Sequence, residues 1–268
     1  MLKKIPAQQL TILTRSPEKA NDLQAKGINV RIGDYTDKPS LMNAMTGIDQ
    51  VVLISAGDKG DRMQEHRNVV DAAKLSGVQC IAYTSRALRD PGTLVNSLML
   101  DHVNTERYIQ DSGLPYVIFR NALYMDVIPL FVGKQVFDLG IHLPAGEGKV
   151  AFALRQEQGE AMAKVLSEGD FSSRTYTFTG SEARSFFDVA AALSRLSGRE
   201  VAYHPLDSDA FRERMRPTGV PDAAVEKIIA FNTDIKNDQE SQVTSDLEVA
   251  LGRKPMDLAD GLKLLFKL

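Results

Sequence analysis

The 268-residue chain has one cysteine, no tryptophan and no Lys/Arg cluster dense enough to form a basic stripe. A single Cys80 excludes an internal disulfide, and its place inside an apolar run marks it as a packing residue rather than a reactive thiol. With a net charge of −3 and no basic patch, the chain does not have the electrostatics of a nucleic-acid binder. No stretch approaches the roughly 20 apolar residues needed to cross a bilayer. The opening Met-Leu-Lys-Lys-Ile-Pro-Ala lacks the apolar run of a secretory signal, so the expected location is the cytoplasm. What is present is an ordinary globular balance, 43% hydrophobic and 25% charged.

That balance is arranged in a rhythm of strands and helices. Residues 10–14 are a short β-branched run, and Ser16-Pro17-Glu18 reads as a helix start, serine as cap and proline first, leading a helix over 18–25. Residues 28–32 alternate as a second strand, 38–45 carry apolar residues at helical spacing, and 51–54 are a continuous apolar run expected to be covered on both faces. The central unit is 66–85, a helix broken by Gly77 and followed by a buried strand over 78–83. A helix within 94–110 and a fifth strand at 116–119 complete the run. Five short strands alternating with helices predict an α/β fold, a doubly wound parallel Rossmann-like sheet, over residues 1–125. Residues 126–268 read as a smaller α+β cap with a strongly amphipathic helix at 185–196, and a small-molecule substrate is expected between cap and strand ends.

In such sheets ligands lie beyond the carboxyl ends of the strands. Candidate site residues are therefore Arg15 and Ser16, Asp34 and Tyr35, Ser55-Ala56-Gly57, Tyr83 and Thr84, and the segment Phe119-Arg120-Asn121-Ala122-Leu123-Tyr124. Each has a plainer reading beside it: a solvated arginine, an Asp-centred turn with a packed tyrosine, a tight turn, a hydroxyl pair satisfying local backbone, a capped turn over a core tyrosine. A dinucleotide sheet normally opens with a strand running into a glycine-rich turn, since only glycine lets the backbone approach a pyrophosphate. None of the 19 glycines falls in a G-x-G-x-x-G. The chain reads as though it starts within the first crossover, the expectation being a truncated product or a start codon set inside a longer frame.

Arg15-Ser16-Pro17-Glu18-Lys19-Ala20, Gly33-Asp34-Tyr35, His66-Arg67-Asn68-Val69-Val70, Ala82-Tyr83-Thr84-Ser85, His102 with Thr105-Glu106, and Arg120 to Tyr124 together resemble the NmrA-like atypical short-chain dehydrogenase/reductase family. The resemblance covers almost the whole chain. Members begin with a strand and a G-A-T-G-x-x-G turn about twenty residues before the point matching Met1. That strand lies mid-sheet in the family, between those at 10–14 and 51–54 here, and its loss would leave two rows of unpaired backbone groups. The resemblance implies NADPH as cofactor. Arg15, helped by Ser16, would pair with the 2′-phosphate, where an acidic residue would instead read NAD. Asp34 and Tyr35 would flank the adenine, Ser55 to Gly57 would let the cofactor pass, Tyr83 and Thr84 would lie near the nicotinamide ribose, and the segment from Phe119 to Tyr124 would lie beside the nicotinamide.

None of the seven tyrosines has lysine four residues later, so the Tyr-x-x-x-Lys proton-transfer pair is missing and alcohol oxidation by that route is disfavoured. Reduction of a quinone or a similar electron-poor aromatic asks less, because hydride comes from the cofactor and protons from water. Asn121, Tyr124 and His102 are the expected catalytic contacts, His102 also reading as an ordinary helical histidine. No metal-ligand spacing is present. The rival readings are a non-catalytic, NAD(P)-sensing regulator of the NmrA type and a truncated form unable to bind cofactor. A homodimer is left open.

Overall fold

The computed structural model describes residues 1–2, 4–57 and 60–268, which divide into two compact units. The first comprises 1–85, 101–119 and 162–176, the second 86–100, 120–161 and 177–268.

In the first unit β1 (Thr11–Thr14) pairs in parallel with β2 (Asn29–Ile32). The connection differs from the single helix expected. A 3₁₀ turn over Pro17–Ala20 leads into one turn of helix, α1 (Asn21–Gln24), and Ser16 makes no side-chain cap. Thr14 instead ties the residue ahead of the turn, its hydroxyl accepting the Ser16 N–H at 3.1 Å and donating to the Ser16 carbonyl at 2.9 Å. Helix α2 (Lys38–Ala44) starts where Asp37 accepts the Ser40 N–H. Strand β3 (Gln50–Leu53) follows, then α3 (Arg62–Leu75), capped by Asp61 and ended at Gly77, whose φ of +73° suits glycine. Strand β4 (Cys80–Arg86) pairs in parallel with β3, Leu53 opposite Tyr83. It runs further than expected, so Thr84 and Ser85 belong to the strand itself. Helix α4 (Ser97–Asp111) and β5 (Tyr116–Asn121) come next.

The parallel strands fall in separate sheets: β1 and β2 form one pair, while β3 is the outer strand of a separate four-stranded sheet. Its edge position explains a second difference. The run at 51–54 is not covered on both faces; Val51 and Val52 are half-buried and Ile54 is 65% exposed. All four residues of β1 are likewise half-buried. The core of this unit joins Leu41 of α2, Leu53 of β3, Val69 and Val70 of α3, Ile81 and Tyr83 of β4 and Ile109 of α4. Each such side chain contributes roughly 2 kcal/mol by leaving water.

The remaining elements in chain order are α5 (Ile128–Val132), α6 (Val136–Leu139), β6 (Ile141–Leu143), β7 (Lys149–Val150), α7 (Arg155–Leu166), β8 (Arg174–Phe178), β9 (Arg184–Ser185), α8 (Phe186–Ser197), β10 (Tyr203–Pro205), α9 (Ser208–Met215), α10 (Asp222–Lys236), α11 (Asp246–Leu251) and α12 (Leu258–Phe266). Strand β8 is the outer neighbour of β5. Helix α8 carries a full capping box between Ser185 and Asp188 and buries Phe186, Val189 and Leu193 in the core of the second unit, with Tyr203, Ile229 and Leu262. No helix among the described residues is long and apolar enough to cross a membrane.

Candidate functional site

At the end of β1, Arg15 is exposed, and its Nη1 lies 3.8 Å from Asp34 beyond β2. A pair so open to solvent is worth little as stabilisation. The Asp34 carboxylate also accepts the N–H and hydroxyl of Thr36, at 2.9 and 2.8 Å, and these hydrogen bonds, backbone first, hold its pKa below the usual value. Asp34 is thus the centre of a tight turn. Tyr35 donates to the Ile54 carbonyl at 3.3 Å, its own carbonyl accepts from Asn68 at 2.9 Å, and burial raises its pKa.

The segment after β3 is held on three sides. The Ser55 N–H donates to Thr84 Oγ1 at 2.8 Å, the Ala56 N–H to His66 Nε2 at 2.9 Å, and Arg62 Nε to the Ala56 carbonyl at 2.8 Å. Gly57 is exposed, and an added Cβ there would meet nothing within 4 Å. Thr84 therefore serves backbone, as its plainer reading has it, but the backbone it serves belongs to another candidate segment.

Behind this segment lies a polar cluster that is almost fully buried, with Arg62 4%, His66 1%, Tyr83 0%, His102 5% and Thr105 0% exposed. A guanidinium only donates, so the 2.9 Å contact of Arg62 Nη2 makes His102 Nε2 an acceptor and puts the ring proton on Nδ1, 2.9 Å from the Tyr83 oxygen. His66 has the same tautomer. Its Nε2 accepts from Ala56, its Nδ1–H donates to Thr105 Oγ1 at 2.8 Å, and the Thr105 hydroxyl donates to the Asp101 carbonyl at 2.7 Å. Burial, then the Arg62 charge, lowers the His66 pKa to about 3; burial raises that of Tyr83. Both groups are neutral at neutral pH. His102, expected as a catalytic contact, sits inside this cluster with both ring nitrogens engaged, which gives it no atom to offer a substrate.

In the second unit, Asn121 is 1% exposed and its carbonyl accepts the Ala87 N–H at 3.0 Å. The Ala122 N–H donates to the Phe178 carbonyl at 2.8 Å, and the carbonyl of buried Leu123 accepts the Ala153 N–H at 3.4 Å. Tyr124 is half-buried, with the Arg155 guanidinium 4.7 Å from its ring centroid. Arg120 is half-buried, whereas Phe119, in the first unit, is fully buried and stacks on Tyr176 at 5.7 Å. A second-unit cavity of about 520 Å³ is lined by residues including Phe152, Glu182, Arg184, Arg253 and Met256, none of them candidates from the sequence. Among the described residues no three His, Cys, Asp or Glu gather as a metal site.

The sequence reasoning missed Arg62 and His66. A signal was available: Arg62 and His66 are four residues apart on α3, and His102, Thr105 and Glu106 are three and four apart on α4, so each set shares one helix face.

Residues 2–130 match the NAD(P)H-binding family. The chain is 33% identical over 267 residues to quinone oxidoreductase 2 of Escherichia coli strain K12, covering 99% of this chain and 92% of that one. The crystal structure of the E. coli NADPH-dependent quinone oxidoreductase in complex with NADPH superposes with a TM-score of 0.89 over 99% of this chain and 93% of its own. Triphenylmethane reductase of Citrobacter sp. is 31% identical and gives 0.90 over 100% and 93%. An NmrA-like family domain-containing oxidoreductase of Aspergillus flavus is 25% identical over 98% of this chain and 88% of its own. The sheet is thus of the Rossmann-like kind, and the chain belongs to the NmrA-like, NAD(P)H-binding family of atypical short-chain dehydrogenases/reductases.

Proposed function

We propose that the protein is a reductase that transfers hydride from NADPH to quinones or related electron-poor aromatics. The observation that carries this reading is the 33% identity to a quinone oxidoreductase across nearly the whole chain, joined to the match with the NAD(P)H-binding family.

Two of the candidate segments suit the cofactor. Arg15 offers an exposed guanidinium whose bidentate fork matches a 2′-phosphate. Ser55, Ala56 and Gly57 present small side chains, and Gly57 has open space where a Cβ would stand. Bound NADPH would supply the hydride. The protein's task is to bind and orient; two electrons and one hydrogen pass to the quinone, and the second proton comes from water. Neutral, buried Tyr83 is not required as an acid. Asn121 and Tyr124 are proposed for substrate contact.

The test is titration of the protein with NADPH followed by fluorescence, then loss of the reduced cofactor's absorbance on adding a quinone. Saturable binding and quinone-dependent oxidation are expected. Absence of binding at millimolar NADPH refutes the reading, and binding without turnover of any quinone would leave a cofactor-sensing regulator.

A further inference from the structure

The segment Ser55–Gly57 has small side chains, so whatever it does to a ligand it does through backbone and shape, and a backbone segment acts reproducibly only when something fixes it. Two buried side chains of α3 do so. His66 Nε2 holds the Ala56 N–H at 2.9 Å and Arg62 Nε holds the carbonyl of the same residue at 2.8 Å. Thr84 Oγ1 holds the preceding N–H, that of Ser55, at 2.8 Å. Both α3 residues are themselves fixed from α4: His66 by Thr105 at 2.8 Å, Arg62 by His102 at 2.9 Å and by Asp101 at 3.9 Å.

We propose that His66 and Arg62 are positioning residues that clamp the Ala56 peptide from both sides, holding Ser55–Gly57 in its cofactor-binding shape before the cofactor arrives. The inference rests on the reading that this protein binds NADPH. A clamped segment does not have to be ordered at the moment of binding, and that ordering cost would otherwise weaken affinity. The clamp needs His66 as an acceptor toward Ala56, which only the neutral ring supplies. The buried setting beside Arg62 keeps the ring in that form, with a pKa of about 3. Burial of a charged guanidinium that is 4% exposed also makes sense on this basis, since its Nε and one Nη are committed to a peptide carbonyl and a ring nitrogen rather than to solvent.

Two substitutions separate positioning from mere structure. In His66→Gln the side-chain amide oxygen reaches as far as Nε2 and can still accept from Ala56. In His66→Asn the amide reaches only as far as Nδ1, so the Thr105 contact can be kept while the Ala56 bond is lost. Both proteins are titrated with NADPH and assayed with a quinone, with the thermal midpoint as folding control. The expected result is a dissociation constant and KM for NADPH raised about tenfold or more in H66N, within threefold of wild type in H66Q, and an unchanged KM for the quinone in both. Equal affinities in H66N and wild type, or equal weakening in both variants, overturns the clamp. Absence of NADPH binding by the wild type overturns the reading beneath it as well. Amide exchange in the wild type is a second measurement independent of any variant's folding: the Ala56 N–H is expected to exchange at least tenfold more slowly than the N–H of exposed Gly57, and equal rates overturn the clamp.

Discussion

The Tyr83 oxygen lies 2.9 Å from His102 Nδ1, and because Arg62 can only donate to the far side of that ring, the phenol is where the His102 proton goes. A strand tyrosine and a helix histidine that the sequence offers as separate site candidates are therefore partners in one buried cluster. Tyr83→Phe keeps the ring and removes the oxygen that His102 Nδ1 faces in this buried cluster. The expected cost is about 1–3 kcal/mol of stability, read from urea unfolding. A change below about 0.5 kcal/mol would mean that the cluster does not need this bond.

Stability should depend on acid through His66. In the unfolded chain its imidazole takes a proton near pH 6.5; in the folded protein burial and Arg62 hold the pKa at about 3. Between those values the unfolded state binds the extra proton, so stability is lost as pH falls from 6.5 toward 3, by up to about 1.4 kcal/mol per unit from this residue. His66→Gln removes that proton uptake. Urea midpoints measured from pH 7 to 4.5 should give a shallower slope for the variant, and an identical slope counts against a buried neutral His66.

Arg15 sets the expected preference between the two nicotinamide cofactors. Arg15→Ala should weaken NADPH binding about tenfold or more and leave NADH within about twofold, since only NADPH carries the phosphate the guanidinium would meet. Parallel titrations decide it, and equal losses for both cofactors would assign Arg15 to the surface pair with Asp34 alone.

In the second unit Gly148 packs so closely that an added Cβ would stand 2.0 Å from the Ile235 carbonyl oxygen. That neighbour is backbone near the end of α10 and cannot rotate away. Gly148→Ala should cost roughly 2 kcal/mol or more, lowering the thermal midpoint by several degrees, while Gly159→Ala, with open space around it, should be neutral or stabilising.

The sequence by itself determined the alternation of strands and helices, because apolar periodicity and glycine or serine punctuation are local: the start of α2 at Lys38 coincides with the reading of that segment. The resemblance carried by the spaced motifs was equally legible. Boundaries that depend on neighbours were not. Strand β4 extends through Thr84 and Ser85, β3 is half-covered because it lies at a sheet edge, and the cap expected of Ser16 is not made. Only the tertiary structure decided that Arg62, His66, Tyr83, His102 and Thr105 form one cluster gripping the Ala56 peptide. These residues come from two helices and a strand as many as 43 positions apart. Hydrogen bonds across such separations follow from how α3 and α4 pack on β4, which no local periodicity encodes.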